Sequence, residues 1–108
     1  MRQRLIMTVL STLLTAGAAH AAPGWTTPST INEFLTVEAS LTVIMASGSN
    51  PMSCGSPTWY RLPASASNYQ VIAANLMSAK AQGKNVKVWA QSCDTDGASL
   101  ILAAWVTN

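Results

Sequence analysis

The sequence predicts an α+β fold that is mostly β, built as a small, closed or nearly closed barrel of five strands with one helix. Three observations carry this prediction: short segments in which apolar and polar residues alternate, one segment with helical periodicity, and two cysteines on either side of that helical segment. The elements follow the order β-β-β-α-β-β. One helix between the third and fourth strands of so small a sheet favours closure, which removes the unpaired edges of an open sheet.

The first 21 residues have the layout of a secretory signal peptide. A basic start at Arg2 and Arg4 precedes an apolar run over residues 5–16, and residues 19–21 (Ala-His-Ala) offer the small side chains that signal peptidase accepts. The apolar run is too short to span a bilayer. We therefore expect an exported protein that works in the periplasm or outside the cell.

Removal of the signal peptide leaves about 87 residues, which is enough for one domain with one core. We expect residues 22–29, which contain Pro23, Gly24 and Pro28, to form an irregular lead-in. Residues 30–108 should then form a single domain.

The composition beyond residue 21 excludes several classes of function. The signal segment holds two of the six basic residues and the only histidine, His20, so four basic and four acidic residues remain and the net charge is near zero. Such a chain has no basic footprint for nucleic acid and lacks the commonest general base and metal ligand. We expect no nucleic-acid partner, no cofactor, no metal and no membrane span.

The first two strands come from a long alternating segment. Apolar residues recur at every second position from Leu35 to Met45, with threonine, glutamate and serine between them, which is typical of a strand with one wet face. We predict strands over 30–37 and 41–47 with a tight reversal near residues 38–40. One long bent strand is the alternative.

A turn-rich loop and a short aromatic strand follow. Residues 47–57 are rich in Gly, Ser, Asn and Pro and contain Cys54. Residues 58–62, which include Trp59 and Tyr60, are β-prone and end at a proline, so they form the third predicted strand.

The segment from about 67 to 82 is the one clear helix. Apolar residues recur at spacings of three and four through Ile72 and Leu76, and Ser67 with Gln70 matches a capping box. Gly83 is placed to end the helix in the left-handed conformation.

Two further strands complete the order. Residues 86–92 alternate so that Val86, Val88 and Ala90 face the core while Lys87, Trp89 and Gln91 face outward. Residues 94–97 (Asp-Thr-Asp-Gly) form a turn. Residues 99–107 are apolar enough to be buried on much of both faces.

Cys54 and Cys93 are predicted to form a disulfide, because an even pair in an exported protein is more often bridged than free. The bond would close a loop of roughly forty residues, worth roughly 4 kcal/mol in the chain-entropy model. A close Cys-x-x-Cys pair, which a redox role would favour, is absent from the sequence.

The sequence offers no catalytic constellation. Acid–base pairs could form only among Glu33, Glu38, Asp94 and Asp96, and no histidine beyond residue 21 could activate a serine. Residues 94–97 resemble the start of a calcium loop, but the later ligands are missing, so a hairpin turn is the favoured interpretation.

The aromatic residues are the best candidates for a binding surface. An exposed tryptophan or tyrosine on a neutral exported barrel can stack on a sugar ring or bury in a subunit interface. Trp89 has the outward parity of its strand, while Trp59 and Tyr60 are adjacent and must face opposite sides. The candidate binding or interface residues are Trp59, Tyr60, Trp89 and Trp105.

The segment between Tyr69 and Cys93 resembles a known family. It begins with a Tyr-led helix, continues through Gly83-Lys84 into Val-x-Val-Trp over residues 86–89, and ends at a cysteine. Together with the signal peptide and three strands before one helix, this resembles the B subunits of bacterial A–B toxins, especially the pertussis-like and subtilase cytotoxin type. The resemblance implies an oligomer-forming, five-stranded OB-like barrel, a ring in those proteins, that binds host glycans beside a separately encoded toxin A subunit.

Three functional hypotheses follow in order. The first is an exported, non-catalytic module that binds carbohydrate as a toxin B-subunit-like protein. The second is a periplasmic or secreted factor that binds or inhibits a protein partner. A hydrolase that uses Glu33 or the pair Asp94 and Asp96 ranks last.

Overall fold

The computed structural model describes residues 22–37 and 39–107; the signal peptide predicted over residues 1–21 lies outside them. Within these residues, six strands and one helix follow one another: β1 (Gly24–Trp25), β2 (Ile31–Val37), β3 (Ser40–Met45), β4 (Trp59–Pro63), α1 (Tyr69–Ala81), β5 (Val86–Cys93) and β6 (Ser99–Val106). The predicted class, α+β and mostly β, is confirmed, and the five long strands lie within about two residues of their predicted bounds.

The strands form one open, mixed sheet in the order β1-β5-β6-β4-β3-β2. Only β4 and β6 pair in parallel, and the other neighbours are antiparallel. The sheet thus has six strands where five are predicted, and the strand pairing of the described residues leaves β1 and β2 as its two edges. The added strand arises because Gly24 and Trp25, in the segment expected to be irregular, pair with Ala90 and Trp89 of β5.

The β2–β3 hairpin reverses the face on which its apolar residues lie. Val37 pairs with Ser40, so only two residues form the turn, and Ala39 there has a φ of 47°. From Glu33 to Val37, odd-numbered residues of β2 therefore lie beside even-numbered residues of β3, and Leu35 faces the same side as Thr42 rather than Leu41. The apolar residues at every second position from Leu35 to Met45 therefore do not share one buried face. Those of β2 and those of β3 lie on opposite faces of the sheet because of the two-residue turn.

The core lies between the inner face of the sheet and the helix. Leu41, Val43, Tyr60 and Leu62 of β3 and β4 point inward and are almost fully buried. The inner residues of β5 and β6 complete this side: Val86, Val88, Ala90 and Ile101. The prediction that β5 turns its valines and Ala90 inward is confirmed.

Helix α1 covers the core with one face. Ile72, Ala73, Leu76 and Ala79 are buried and α1 packs against β6, β2 and β4, whereas Val71 and Met77 are exposed. Spacings of three and four residues place the buried side chains on one stripe.

The two ends of the helix differ in how well the sequence predicts them. Asn68 rather than Ser67 is the N-cap and makes no side-chain capping bond, so the predicted capping box is wrong. At the other end Gly83 has a φ of 66°, and the amides of Gly83 and Lys84 donate to the carbonyls of Lys80 and Ala79. That pairing is the Schellman motif expected where glycine follows a helix.

Cys54 and Cys93 form a disulfide that ties the loop before β4 to the end of β5. Cys54 is buried, and the Ser99 hydroxyl donates to its Sγ at 3.2 Å. The bond spans 39 positions of sequence and encloses β4 and the helix. The predicted disulfide is confirmed.

Candidate functional site: a tryptophan cluster on the outer sheet face

Three tryptophans from three neighbouring strands meet on the outer face of the sheet. Trp25 lies directly opposite Trp89 across the β1–β5 ladder, and Trp105 lies opposite Lys87 across the β5–β6 ladder. Strand alternation places them there, because Val86, Val88 and Ala90 on the same strand point into the core. We call Trp25, Lys87, Trp89 and Trp105 the tryptophan cluster.

The rings of the cluster contact one another edge to face. The Trp25 ring centroid is 5.7 Å from the centroid of Trp89 and 5.7 Å from that of Trp105, with interplanar angles of 83° and 79°. This is the geometry that the ring quadrupoles favour. Trp25 therefore contacts both of the other rings and joins the three into one cluster.

Lys87 places a positive charge inside the cluster. Its Nζ lies 3.9 Å from the Trp105 ring centroid and 5.6 Å from that of Trp25, both within cation–π range. Among the described residues it makes no ion pair. The ammonium is therefore held by indole rings rather than by a carboxylate.

The cluster remains accessible and carries a polar rim. Trp105 is 53% exposed and Trp25 is 38% exposed, which is unusual for the largest apolar side chain. The indole Nε1 of Trp89 donates to Oε1 of Gln91 at 2.8 Å, which leaves the Gln91 amide nitrogen able to donate to a ligand. Flat apolar rings beside hydrogen-bond donors suit a ligand with an apolar face and many oxygens.

The remaining predicted candidates on β4 lie elsewhere. Tyr60 points into the core and is 1% exposed, so it is a packing residue and no ligand can reach its ring. Burial raises the pKa of Tyr60 to about 12. Trp59 is half-buried opposite Ile44, and no ring contact among the described residues joins it to the cluster.

Sequence reasoning identifies Trp89 and Trp105 but misses two members of the cluster. Trp25 is missed because its strand is only two residues long and has no periodicity to detect. Lys87 is predicted to face outward with Trp89, and that shared parity is the signal that could have identified it. The prediction that β6 is buried on much of both faces is wrong, since Leu102 and Trp105 are exposed.

The acidic residues proposed for hydrolysis are held by an arginine. Arg61 donates from Nη1 to Asp94 at 2.7 Å and from Nη2 to Asp96 at 2.7 Å, while its Nε donates to Thr42. The hydrogen bond from Arg61 holds the pKa of Asp96 below its usual value, and the same bond raises the pKa of Arg61. The geometry is that of a clamp on the β5–β6 turn.

The turn at residues 94–97 is a hairpin turn. Gly97 donates to the carbonyl of Asp94, Asp94 donates to that of Ala98, and Gly97 has a φ of 93°. Glu33 is exposed on β2, and Glu38 lies outside the described residues. In the part of the chain that the structure covers, no three metal-ligating side chains come together.

Comparisons of the chain with protein-family models, curated proteins and solved structures returned no match. Across residues 22–37 and 39–107, no helix is both long and apolar enough to cross a membrane.

Proposed function

We propose that this protein is an exported, non-catalytic binding module whose tryptophan cluster holds a carbohydrate. The observation that carries the proposal is the set of three indole rings fixed against one another on three adjacent strands, with Trp25 and Trp105 both more than a third exposed. The C–H face of a pyranose stacks on such rings, while Lys87 and Gln91 supply donors for its hydroxyl oxygens.

Rigidity of the cluster supports binding rather than catalysis. Binding to a preorganised surface loses little side-chain entropy, and the edge-to-face contacts already order the rings before a ligand arrives. Apart from Lys87, whose ammonium lies against the indole rings, no acid, base or nucleophile belongs to the cluster, and the only histidine of the chain is His20.

We propose that the sheet closes into an OB-like barrel. Strands β2, β3, β4, β6 and β5 follow the order 1-2-3-5-4 with one parallel pair, and the helix lies between the third and fourth of these strands. The two edge strands β1 and β2 are consecutive in the chain, and Ser29 between them exchanges backbone hydrogen bonds with Val86 of β5. Residues 24–29 would close the barrel against β5 while β2 continues along β3.

The resemblance to toxin B subunits extends the proposal to the assembly. On this hypothesis the protein works in the periplasm or outside the cell, forms a homo-oligomeric ring and accompanies a separate toxin A subunit. The disulfide supports an oxidising compartment. A secreted protease or ADP-ribosyltransferase encoded beside this chain, and co-purifying with it, would support the toxin hypothesis.

A glycan array followed by fluorescence titration tests the carbohydrate hypothesis. We expect Trp105→Ala to weaken binding of the array's best glycan at least tenfold, because truncation of a central interface tryptophan commonly costs about 2 kcal/mol or more. Trp59→Ala is the matched control, since it removes a tryptophan outside the cluster. Equal affinities of the two variants, with both folded by circular dichroism, would remove the cluster from the binding site.

A protein ligand is the second candidate, and two exposed apolar residues favour it. Leu102 is 54% exposed and Val106 is 36% exposed on β6, the strand that carries Trp105. Tryptophan beside aliphatic residues and a lysine is a common composition for the centre of a protein interface. A blank glycan array together with a cross-linked protein partner that Trp105→Ala releases and Trp59→Ala retains would favour this function.

A further inference from the structure

The edge strand β2 is exposed along most of its length. It is the last strand of the sheet and pairs only with β3. Among the described residues, no strand accepts or donates hydrogen bonds to the backbone N–H and C=O groups on its other side. Five of its seven residues are exposed, and only Ile31 is buried. The opposite edge, β1, is only two residues long.

This edge carries exposed apolar side chains, whereas edge strands of natural proteins usually carry residues that prevent pairing with another chain. The two-residue turn puts Leu35 and Val37 on the outer face, where they are 41% and 44% exposed. Edge strands are commonly protected by lysine, proline or a central bulge. In β2 the only charge is Glu33, and the one irregularity lies between Ile31 and Glu33, before the apolar pair.

We propose that β2 is a dimerisation edge that pairs, antiparallel, with β2 of a second copy of this chain. The favoured register is centred on Thr36, because it places Leu35 of one copy opposite Val37 of the other twice, on the same outer face. In this register Glu33 lies opposite residue 39, so the two Glu33 carboxylates do not face each other. A two-fold axis through Thr36 makes the contact self-complementary.

The interface leaves the tryptophan cluster free. The cluster lies on β1, β5 and β6, at the far end of the strand order from β2. The contact between residues 24–29 and β5 also leaves β2 unpaired, so the dimer does not compete with barrel closure. A two-fold contact closes on two subunits, so this dimer is an alternative to the ring of the toxin hypothesis. It does not depend on carbohydrate binding, and it would present two clusters to a multivalent surface.

Sedimentation of the purified protein over a wide concentration range tests the dimer. Pairing of two short strands buries less than a standard interface, so we expect a reversible dimer that dissociates as the protein is diluted through the micromolar range. Leu35→Lys and Val37→Lys should each weaken dimerisation at least tenfold. Leu102→Lys is the matched control, because it places the same charge at an exposed apolar residue of β6, and should dimerise like the wild type.

A cysteine cross-link tests the register without relying on affinity. Thr36→Cys should give a covalent dimer on mild oxidation, because residue 36 faces its own copy across the two-fold axis, whereas Met77→Cys on the exposed face of α1 should not. A monomer at every concentration overturns the proposal. So does a dimer that Leu35→Lys leaves intact, or an assembly in which Thr36→Cys fails to cross-link.

Discussion

Tyr60 and Trp89 are aromatic residues of the same sheet, yet one lies in the core and the other on the surface. Tyr60 is opposite Val43 on the inner face, while Trp89 is opposite Trp25 on the outer face. A strand shows its alternation in sequence, but only the partner strands decide which face meets the helix. The face on which an aromatic side chain lies therefore decides whether it packs in the core or is a candidate for binding.

The burial of Tyr60 should lower the stability of the folded protein at alkaline pH. Its pKa is raised from 10.0 to about 12, so its stabilising contribution is complete below pH 10 and is lost as the pH rises toward 12. The free energy of unfolding should fall between pH 9 and pH 12 in both proteins. We expect this fall to be roughly 1–2 kcal/mol smaller in Tyr60→Phe than in the wild type. Urea unfolding at each pH measures this difference.

Tyr69→Phe is the matched control for this effect, because Tyr69 is a half-buried tyrosine at the start of α1. If both variants follow the wild-type pH dependence, ionisation of Tyr60 does not contribute to alkaline unfolding.

Asp96 should contribute to folding stability near neutral pH and lose that contribution in acid. The hydrogen bond from Arg61 lowers the pKa of Asp96 below its ordinary 3.8, so its stabilising effect is present above that value and is lost as the pH falls through the folded-state pKa. Asp96→Asn should therefore reduce the loss of thermal stability below about pH 4. The effect should be small, because the carboxylate is solvent-exposed and the pair is screened.

Melting temperatures of both proteins between pH 6 and pH 2 check this prediction. Glu33→Gln serves as the control, since Glu33 forms no ion pair with any described residue. Parallel curves for the wild type and Asp96→Asn would show that the Arg61 contact carries no pH-dependent stability.

At the scale of elements, the helix is the covering layer of the core. Leu76 is fully buried, and α1 contacts β2, β4 and β6. Leu76→Ala should cost about 2–5 kcal/mol, because it removes the transfer free energy of the side chain and leaves a cavity. Chemical denaturation measures the change.

Met77→Ala is the control on the same helix, because Met77 is 50% exposed. Its cost should stay within about 0.5 kcal/mol. A cost below about 1 kcal/mol for Leu76→Ala would mean that the helix does not seal the sheet.

The elements also show what could be predicted from the sequence. Strands β2 to β6 and the end of α1 at Gly83 are predicted correctly, because side-chain periodicity and turn preferences depend only on residues close together in the sequence. The outer position of Leu35 could not be predicted, because it depends on a turn of two residues rather than three. The strand at Trp25 is equally invisible, since its partner β5 lies more than sixty residues away.

The same distinction explains the site. Trp89 and Trp105 are accessible to sequence reasoning because their strands are long and regular. Their contact through Trp25 is a product of the sheet order, which brings three distant segments together. Local patterns therefore identify residues of a surface, whereas the tertiary pairing decides that they form one surface.

At the scale of the whole molecule, the disulfide joins two segments that are distant in sequence. It links the irregular loop around Cys54, which carries no strand or helix between residues 46 and 58, to the end of β5. The Asn50 side chain donates to Ser99, whose hydroxyl donates to the Cys54 Sγ. The loop is thus attached to the sheet beside β6 through the bond and its neighbours.

Replacement of both cysteines by alanine should therefore destabilise the protein by roughly 4 kcal/mol, the loop-closure value for a loop of about forty residues. For a domain of this size that loss is a large share of the total stability, so the melting temperature should fall by on the order of 15–30 °C. Calorimetry of the wild type, the double variant and the reduced wild type makes the measurement. The reduced protein and the double variant should agree closely, because both lose the same constraint on the unfolded chain. A double variant as stable as the oxidised wild type would mean that the native contacts around Asn50 and Ser99 alone keep this loop in place.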